Sequence, residues 1–213
     1  MDASTTLEFG IAAIGRWTIA DGPARADRLP WSSRQTAGPL ARMAAHALDA
    51  LWAGGEPDRP LSLVLASAHG EPTATDPWCA LADPLARIDG VARVIPVSAA
   101  HQTVPAALWW ASPDESLVVL WADVAATTEL AVALWLHPEG DLARLGAPVR
   151  QAHAPPRRPS ANPCIGALRL AEACANGGTV RLDADRGASD PGVAWCSVVQ
   201  PGRRAPGQSD RRA

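Results

Sequence analysis

Ser67, His69 and Glu71 place a hydroxyl, an imidazole and a carboxylate at alternating positions within one short segment. In an extended backbone alternate residues fall on one side, so the trio has the makings of a nucleophile, a general base and an orienting acid. The surroundings favour a different reading. No Gly-x-Ser-x-Gly elbow encloses Ser67, and triads of this type are normally assembled from distant positions. The segment is expected to be a structural turn in which His69 bonds the backbone. Cys79, Cys164, Cys174 and Cys196 include no Cys-x-x-Cys pair, so zinc or redox spacing is missing. They are expected to act as small buried hydrophobes. Cys164 has one added feature: it follows Asn162 and Pro163 at a helix start, where the helix dipole would lower its pKa. His46, His137 and His153 stand alone and are expected to be partly exposed and structural. His69 and His101 share no ligand spacing, and no metal or cofactor is expected.

These groups must be positioned by alternating strands and helices. Glu8–Ile19 reads as an opening strand, or as two short strands broken by Gly15. After a loop rich in Pro, Asp and Arg, Thr36–Trp52 repeats apolar residues at helical spacing, and Gly54 and Gly55 close it. Leu61–Ser67 is a compact apolar run that suits a strand buried on both faces. Asp76 can cap a helix over Pro77–Arg87, with Pro77 in the first turn where its missing N–H is harmless. Val91–Ser98 is a strand weakened by Pro96, and His101–Ala111 a helix that starts near Pro105. Ser116–Ala122 reads as a strand, whereas Glu129–Leu136 fits a strand or a helix. Positions 140–163 alternate Pro with Arg and Ala and read as a connector. Ala167–Asn176 then reads as a helix, Thr179–Asp183 and Val193–Val199 as a β pair, and 200–213 as a disordered tail. The expectation is one α/β domain over 1–199.

Composition narrows the function. The chain has 213 residues, 47% hydrophobic and 19% charged, which is enough to bury a core and too apolar for a disordered chain. A net charge of −3 lacks the basic footprint of a nucleic-acid binder. Every cationic side chain is Arg, so lysine-dependent Schiff-base and P-loop chemistry is excluded. The apolar runs are too short to span a bilayer, and the first residues lack the basic start and apolar stretch of a secretory signal. A cytoplasmic protein is expected. Nine Trp accompany one Phe and no Tyr, and Trp109 and Trp110 are adjacent. On a helix neighbours diverge by about 100°, so one would face the sheet and the other a second surface.

The order of several segments carries a resemblance. FGIAAIGRWTIADG is similar to a first strand bearing Gly and Trp before a Pro/Gly turn. LPWSSRQTAGPLARMAAHAL is similar to a Leu-Pro, Arg, Ser-Pro segment entering an Ala-rich helix, with Gly38-Pro39 where Ser-Pro is usual. LVLASAHGE, Leu63–Glu71, matches a strand followed by an Ala-Ser-x-His-Gly turn and is the most specific of these. In VSAAHQTVPAALWWAS, Val97–Ser112, His101 matches a Val-His-Asn-Ala-Ala-Ala-Gly helix, Gln102 replaces its Asn and Ala106 its Gly. ANPCIGALRLAEACANGGTVRLD is similar to a closing Asn-Pro, helix and strand. In this order the chain, over most of residues 7–199, resembles the β-ketoacyl synthase-like N-terminal domain family. Within the thiolase-like superfamily the resemblance is to the short chain-length-factor-type proteins of aryl-polyene clusters.

The resemblance implies half of a thiolase-like fold, a mixed five-stranded sheet layered with helices. It implies a condensing nucleophile at the end of the strand Ser116–Ala122, where Leu120, Trp121, Ala122 and Asp123 offer no thiol. The two basic residues of such enzymes belong to a second half that the chain is expected to lack. The implied role is therefore a non-catalytic chain-length-factor-like subunit. It would pair with a full-length ketosynthase and shape its acyl tunnel in polyene or fatty-acid-type biosynthesis, meeting acyl carrier protein indirectly. His101, Gln102, Val104, Leu108, Trp109 and Trp110 are the residues implied at the partner interface or tunnel, with the bulky side chains limiting chain growth. Two other readings stand beside it: a homodimeric scaffold without a condensing role, and a small acyl-transferring enzyme using Cys164 or Ser67.

Overall fold

The computed structural model describes residues 9–53, 55–98, 114–125, 128–137, 139–140, 142–145, 149–152, 180–183 and 193–201, together with helical residues at 167–168, 171–172, 174 and 176. In chain order the elements are β1 (Phe9–Thr18), a 3-10 turn (Ile19–Asp21), α1 (Trp31–Thr36), α2 (Pro39–Trp52), β2 (Leu61–Ser67), α3 (Pro77–Ala86), β3 (Val91–Ser98), β4 (Ser116–Ala125) and β5 (Thr128–His137). The short strands β6 (Ala143–Leu145), β7 (Val149–Ala152), β8 (Val180–Asp183) and the longer β9 (Val193–Pro201) follow.

Five long strands, in the order β3-β2-β4-β5-β1, make a mixed sheet. β2 runs parallel to both β3 and β4, while β5 is antiparallel to β4 and to β1. Beyond β1 the ladder continues through β6, β9 and β7, with β8 also on β9, to nine strands. The pattern explains β2. With a parallel neighbour on each edge and a layer on each face, it presents no wet side, and all seven of its residues are buried.

Side chains of the sheet divide between two cores. Leu61, Leu63, Leu65, Val118, Leu120, Ala122, Ala131 and Ala133 face α2 and α3. Val64, Ala66, Leu117, Val119, Trp121, Val132, Leu134 and Leu136 face the opposite way, where the helical residues Ala167, Ala171 and Cys174 pack. The floor beneath α2 is made of small groups, Ala131, Ala133 and Gly15, and the helix answers with Ala44 and Ala47. A Cβ on Gly15 would run into the Ala47 carbonyl and lie 2.5 Å from the Leu51 nitrogen. Gly15 therefore does not break the opening strand; β1 is continuous, and the glycine is what lets α2 come down onto it. A register shift between Ile11 and Ala13 sends Ile11 to the second core while Trp17 and Ala13 stay with the first. Two residues apart would otherwise share a face, so the bulge changes sides for the strand's first half.

The apolar periodicity predicted a helix over Thr36–Trp52; the structure begins it at Pro39, and Thr36 instead ends a separate short helix, α1. Ala37 adopts extended angles (φ −61°, ψ 128°) and Gly38 likewise (φ −71°, ψ 174°). Pro39 crowds the residue before it out of the helical region, and it opens α2 at the position where no N–H is needed. Asp76 caps α3 as expected, accepting the Cys79 N–H at 3.0 Å. Pro96 is accommodated because β3 is an outer strand with a single neighbour, β2. Glu129–Leu136 is strand, the core of β5. The Pro-rich 140–163 stretch contains β6 and β7, so it contributes to the sheet. Gln200 and Pro201 belong to β9, and the tail after them lies outside the described residues.

Candidate functional site

The parallel pair β2 and β4 ends on the same side of the sheet, and open α/β sheets bind ligands beyond such carboxyl ends. Four polar residues lie there: Ser67 at the end of β2, His69 and Glu71 in the turn after it, and Asp123 near the end of β4.

Ser67 is fully buried, and its Oγ accepts the Gly70 N–H at 3.1 Å. Gly70 has φ +69°, a left-handed conformation costly for any residue with a Cβ, and such a Cβ would stand 2.6 Å from the Pro77 carbonyl oxygen. The turn is thereby pressed onto the start of α3, where the Glu71 N–H donates to the same Pro77 oxygen at 2.9 Å. Glu71 itself turns away toward α2: Oε1 accepts the Ala41 N–H at 2.7 Å. Burial pushes the Glu71 carboxyl above its ordinary range, against the opposing pull of the Ala41 and Leu40 N–H groups. His69 is exposed.

This geometry corrects the serine-nucleophile reading. Among the described residues no hydrogen bond joins Ser67 to His69 or His69 to Glu71, because the hydroxyl and the carboxylate serve backbone donors of two other segments. The expected turn is present. The bond from His69 to the backbone is not among its contacts.

Asp123 is the group that sequence reasoning passed over, noting it only as a residue other than Cys. It is 6% exposed, and both oxygens are engaged: Oδ2 accepts the Ala68 N–H at 3.0 Å and Oδ1 the Val124 N–H at 2.9 Å. Before it, Leu120 and Ala122 face the α2 core and Trp121 the opposite one. The strand end thus presents a carboxylate with each oxygen engaged by a backbone N–H. The available signal was a single acid ending the apolar run SLVVLWAD.

A groove of about 560 Å³ opens at this same end of the sheet. Its walls include Trp17, Ile19, Pro39 and Met43, with Arg42 and Glu129 as its charged members. The register fixes its place: Trp17 pairs with Ala131 on β5, and Leu130 next to it pairs with Asp123. Trp17 Nε1 donates to the Gly22 carbonyl at 3.1 Å, which holds the wall, and Ile19 is 66% exposed at the rim.

Cys79 is exposed in the first turn of α3, and Cys174 is buried. Hydrogen bonding to Asp76, and its charge, hold the Cys79 thiol above its ordinary pKa, the reverse of an activated nucleophile. Burial pushes Cys174 up to about 11. Among the described residues no three His, Cys, Asp or Glu side chains are placed to hold a metal ion. Also among them, no helix is long and apolar enough to cross a membrane. His101, Gln102, Val104, Leu108, Trp109, Trp110 and Cys164 lie outside the described residues.

No family model and no curated protein matches the chain. Solved structures do. ChlB3, an acyltransferase, superposes with a TM-score of 0.60 at 16% identity, covering 93% of this chain and 99% of that one. The 3-oxoacyl-[acyl-carrier-protein] synthase III of Aquifex aeolicus VF5 gives a TM-score of 0.54 at 12% identity over 90% of this chain and 99% of its own. The corresponding enzyme of Pseudomonas aeruginosa PAO1 gives 0.51 at 13% over 92% and 99%. Identities this low speak for fold. The chain is α/β, with a mixed sheet and helix layers corresponding to half of a thiolase-like fold.

Proposed function

We propose that this chain is a ketosynthase-like subunit without condensing chemistry of its own, which pairs with a full-length ketosynthase and helps to shape its acyl tunnel. The observation that carries the reading is Asp123. At the strand end where the resemblance implies an acyl-accepting thiol, the chain has a carboxylate whose two oxygens are held by Ala68 and Val124. A carboxylate with both oxygens engaged in this way is a poor acceptor for an acyl chain, and it cannot stand in for a thiolate. The likeness to 3-oxoacyl synthases and to an acyltransferase supports a setting in which acyl groups are handled.

In this proposal the subunit acts by contact and steric limit. His101, Gln102, Val104, Leu108, Trp109 and Trp110 form the partner-facing or tunnel-lining segment, acyl carrier protein meets the complex through the ketosynthase, and the pathway is of polyene or fatty-acid type in the cytoplasm. Large aromatics such as Trp109 and Trp110 are the side chains that contribute most at protein interfaces.

The test has two arms. Co-expression with a full-length ketosynthase from the same genome, followed by size-exclusion chromatography, should give one co-eluting complex; independent elution of the two proteins at micromolar concentration refutes the pairing. Incubation of the purified chain with acyl and malonyl thioesters should give neither product nor adduct by mass spectrometry. An acyl group found on Cys164 or Ser67 would instead establish the acyl-transferring reading.

A further inference from the structure

Glu71 is 1% exposed although it belongs to a surface turn. One oxygen is bonded to the Ala41 N–H, and the Leu40 N–H also points to the carboxylate. The other, Oε2, is buried with no hydrogen-bond partner among the described residues. The carboxyl fits against Gly38, where a Cβ would stand 2.5 Å from Oε2 and 2.6 Å from Oε1. The Gly38 backbone angles are open to any residue, so its value lies in the missing side chain. From the other side, Glu71 is held through its N–H to Pro77. The Glu71 side chain therefore ties the first turn of α2 to the turn after β2, and its backbone N–H ties that turn to the start of α3.

Two forces act on its proton. The free N–H groups and dipole at the start of α2 favour the anion. Burial with one oxygen bare favours the neutral acid. Burial is the larger, and the carboxyl is held above its ordinary pKa. The charged and titratable side chains on the packed elements are otherwise engaged or turned outward. On α2, Arg42 bonds the carbonyls of Ala37 at 3.0 Å and Arg34 at 2.7 Å. His46 accepts the Arg25 N–H at 2.9 Å, and Asp49 pairs with Arg28 at 3.0 Å. On the turn and α3, His69 and Asp83 are exposed, Asp76 caps α3, and Cys79 lies beside Asp76.

We infer that Glu71 is a proton-controlled latch: as a neutral acid it clamps the start of α2 to the turn after β2, and as an anion it loosens that clamp. The sign follows from linkage. A carboxyl with a folded-state pKa above its unfolded value stabilises the fold fully below the unfolded value, and that stabilisation is lost as pH rises through the folded one. Ala37 and Pro39, beside the latch, also line the 560 Å³ groove, so its opening changes the shape of that wall.

Amide hydrogen exchange of Ala41 and Glu71, followed from acid to neutral pH and corrected for intrinsic rates, reads the latch directly. The expected result is a loss of protection with rising pH, about tenfold for each unit by which the pKa is displaced. Glu71→Gln should remove this dependence, and an unchanged dependence in that variant overturns the latch. If Glu71→Gln does not fold, the wild-type Glu71 side-chain carbon shift decides. A titration midpoint above the ordinary glutamate range upholds the inference, and a midpoint within or below that range overturns it.

Discussion

Asp123 and Ala68 lie 55 residues apart in sequence and meet at 3.0 Å, carboxylate to backbone N–H, across the ends of two parallel strands. Parallel strands have no hairpin to fix how far they run together, so a side chain that ties one strand end to the turn of the next does so here. Asp123→Ala would take this acceptor from two backbone donors, that of the half-buried Ala68 and that of the more exposed Val124. A loss of about 1–3 kcal/mol in urea unfolding is expected, most of it the penalty of unsatisfied donors. Asp123→Asn keeps one acceptor oxygen and should retain part of that stability. An Asp123→Ala protein as stable as the wild type would mean that the tie is ornamental.

Gly15→Ala tests the close approach of α2 to the sheet. The added methyl meets backbone atoms of Ala47 and Leu51, which cannot swing aside as a flexible side chain would. Relief requires moving the helix, and overpacking of this kind costs about 1–3 kcal/mol or more. A lowered urea midpoint with an unchanged slope is the expected result, and an unchanged midpoint would show that the helix rides higher than described here.

How much of this was open to reading in the residues differs from one element to the next. The run Leu61–Ser67 announced a buried strand because it is compact, mostly apolar and bounded by turn residues, and Asp76 with Pro77 announced the start of α3. The apolar rhythm of α2 begins at Leu40 and Pro39 marks its start, whereas α1 is six residues long, too short for periodicity to show. β6 and β7 have 3 and 4 residues, too few for alternation to show against a Pro- and Arg-rich background. Glu71 and Asp123 were visible as acids, but their partners lie 30 and 55 residues away, and local spacing carries no information about such meetings. The half-thiolase architecture came from the order of motifs.

The two described thiols should differ sharply in native protein. At mildly alkaline pH, iodoacetamide should label Cys79 more slowly than a free cysteine, because the neighbouring Asp76 keeps it protonated, and should leave Cys174 unlabelled. Asp76→Asn retains an oxygen to cap Cys79 while removing the charge, so labelling of Cys79 should accelerate severalfold. Peptide mapping by mass spectrometry reads both sites, and equal rates for the two Cys79 proteins would remove Asp76 as the cause.

At the opposite end of β2, the Ser62 hydroxyl donates to Glu115 and accepts the Arg93 Nε–H at 2.7 Å, while Arg93 Nη2 reaches Glu115 Oε2 at 2.8 Å. This polar staple crosses three parallel strands, but Arg93 and Glu115 side chains are 42% and 26% exposed. Its ionic part is screened accordingly. Glu115→Ala should cost about 0.5–1.5 kcal/mol, with the difference from wild type shrinking in high salt. A larger loss that ignores salt would point to packing in place of charge.

On the side facing β4, β1 pairs antiparallel with β5, with Gly10 opposite His137. The ribosome releases about 5–20 residues each second, so on the order of ten seconds separates the emergence of the two strands. Throughout that interval the amphipathic α2 has no completed floor to settle on, and its leucines and alanines face water or a chaperone. Synthesis of this chain therefore carries a built-in waiting period, during which its first fifty or so residues are the segment most open to aggregation or capture.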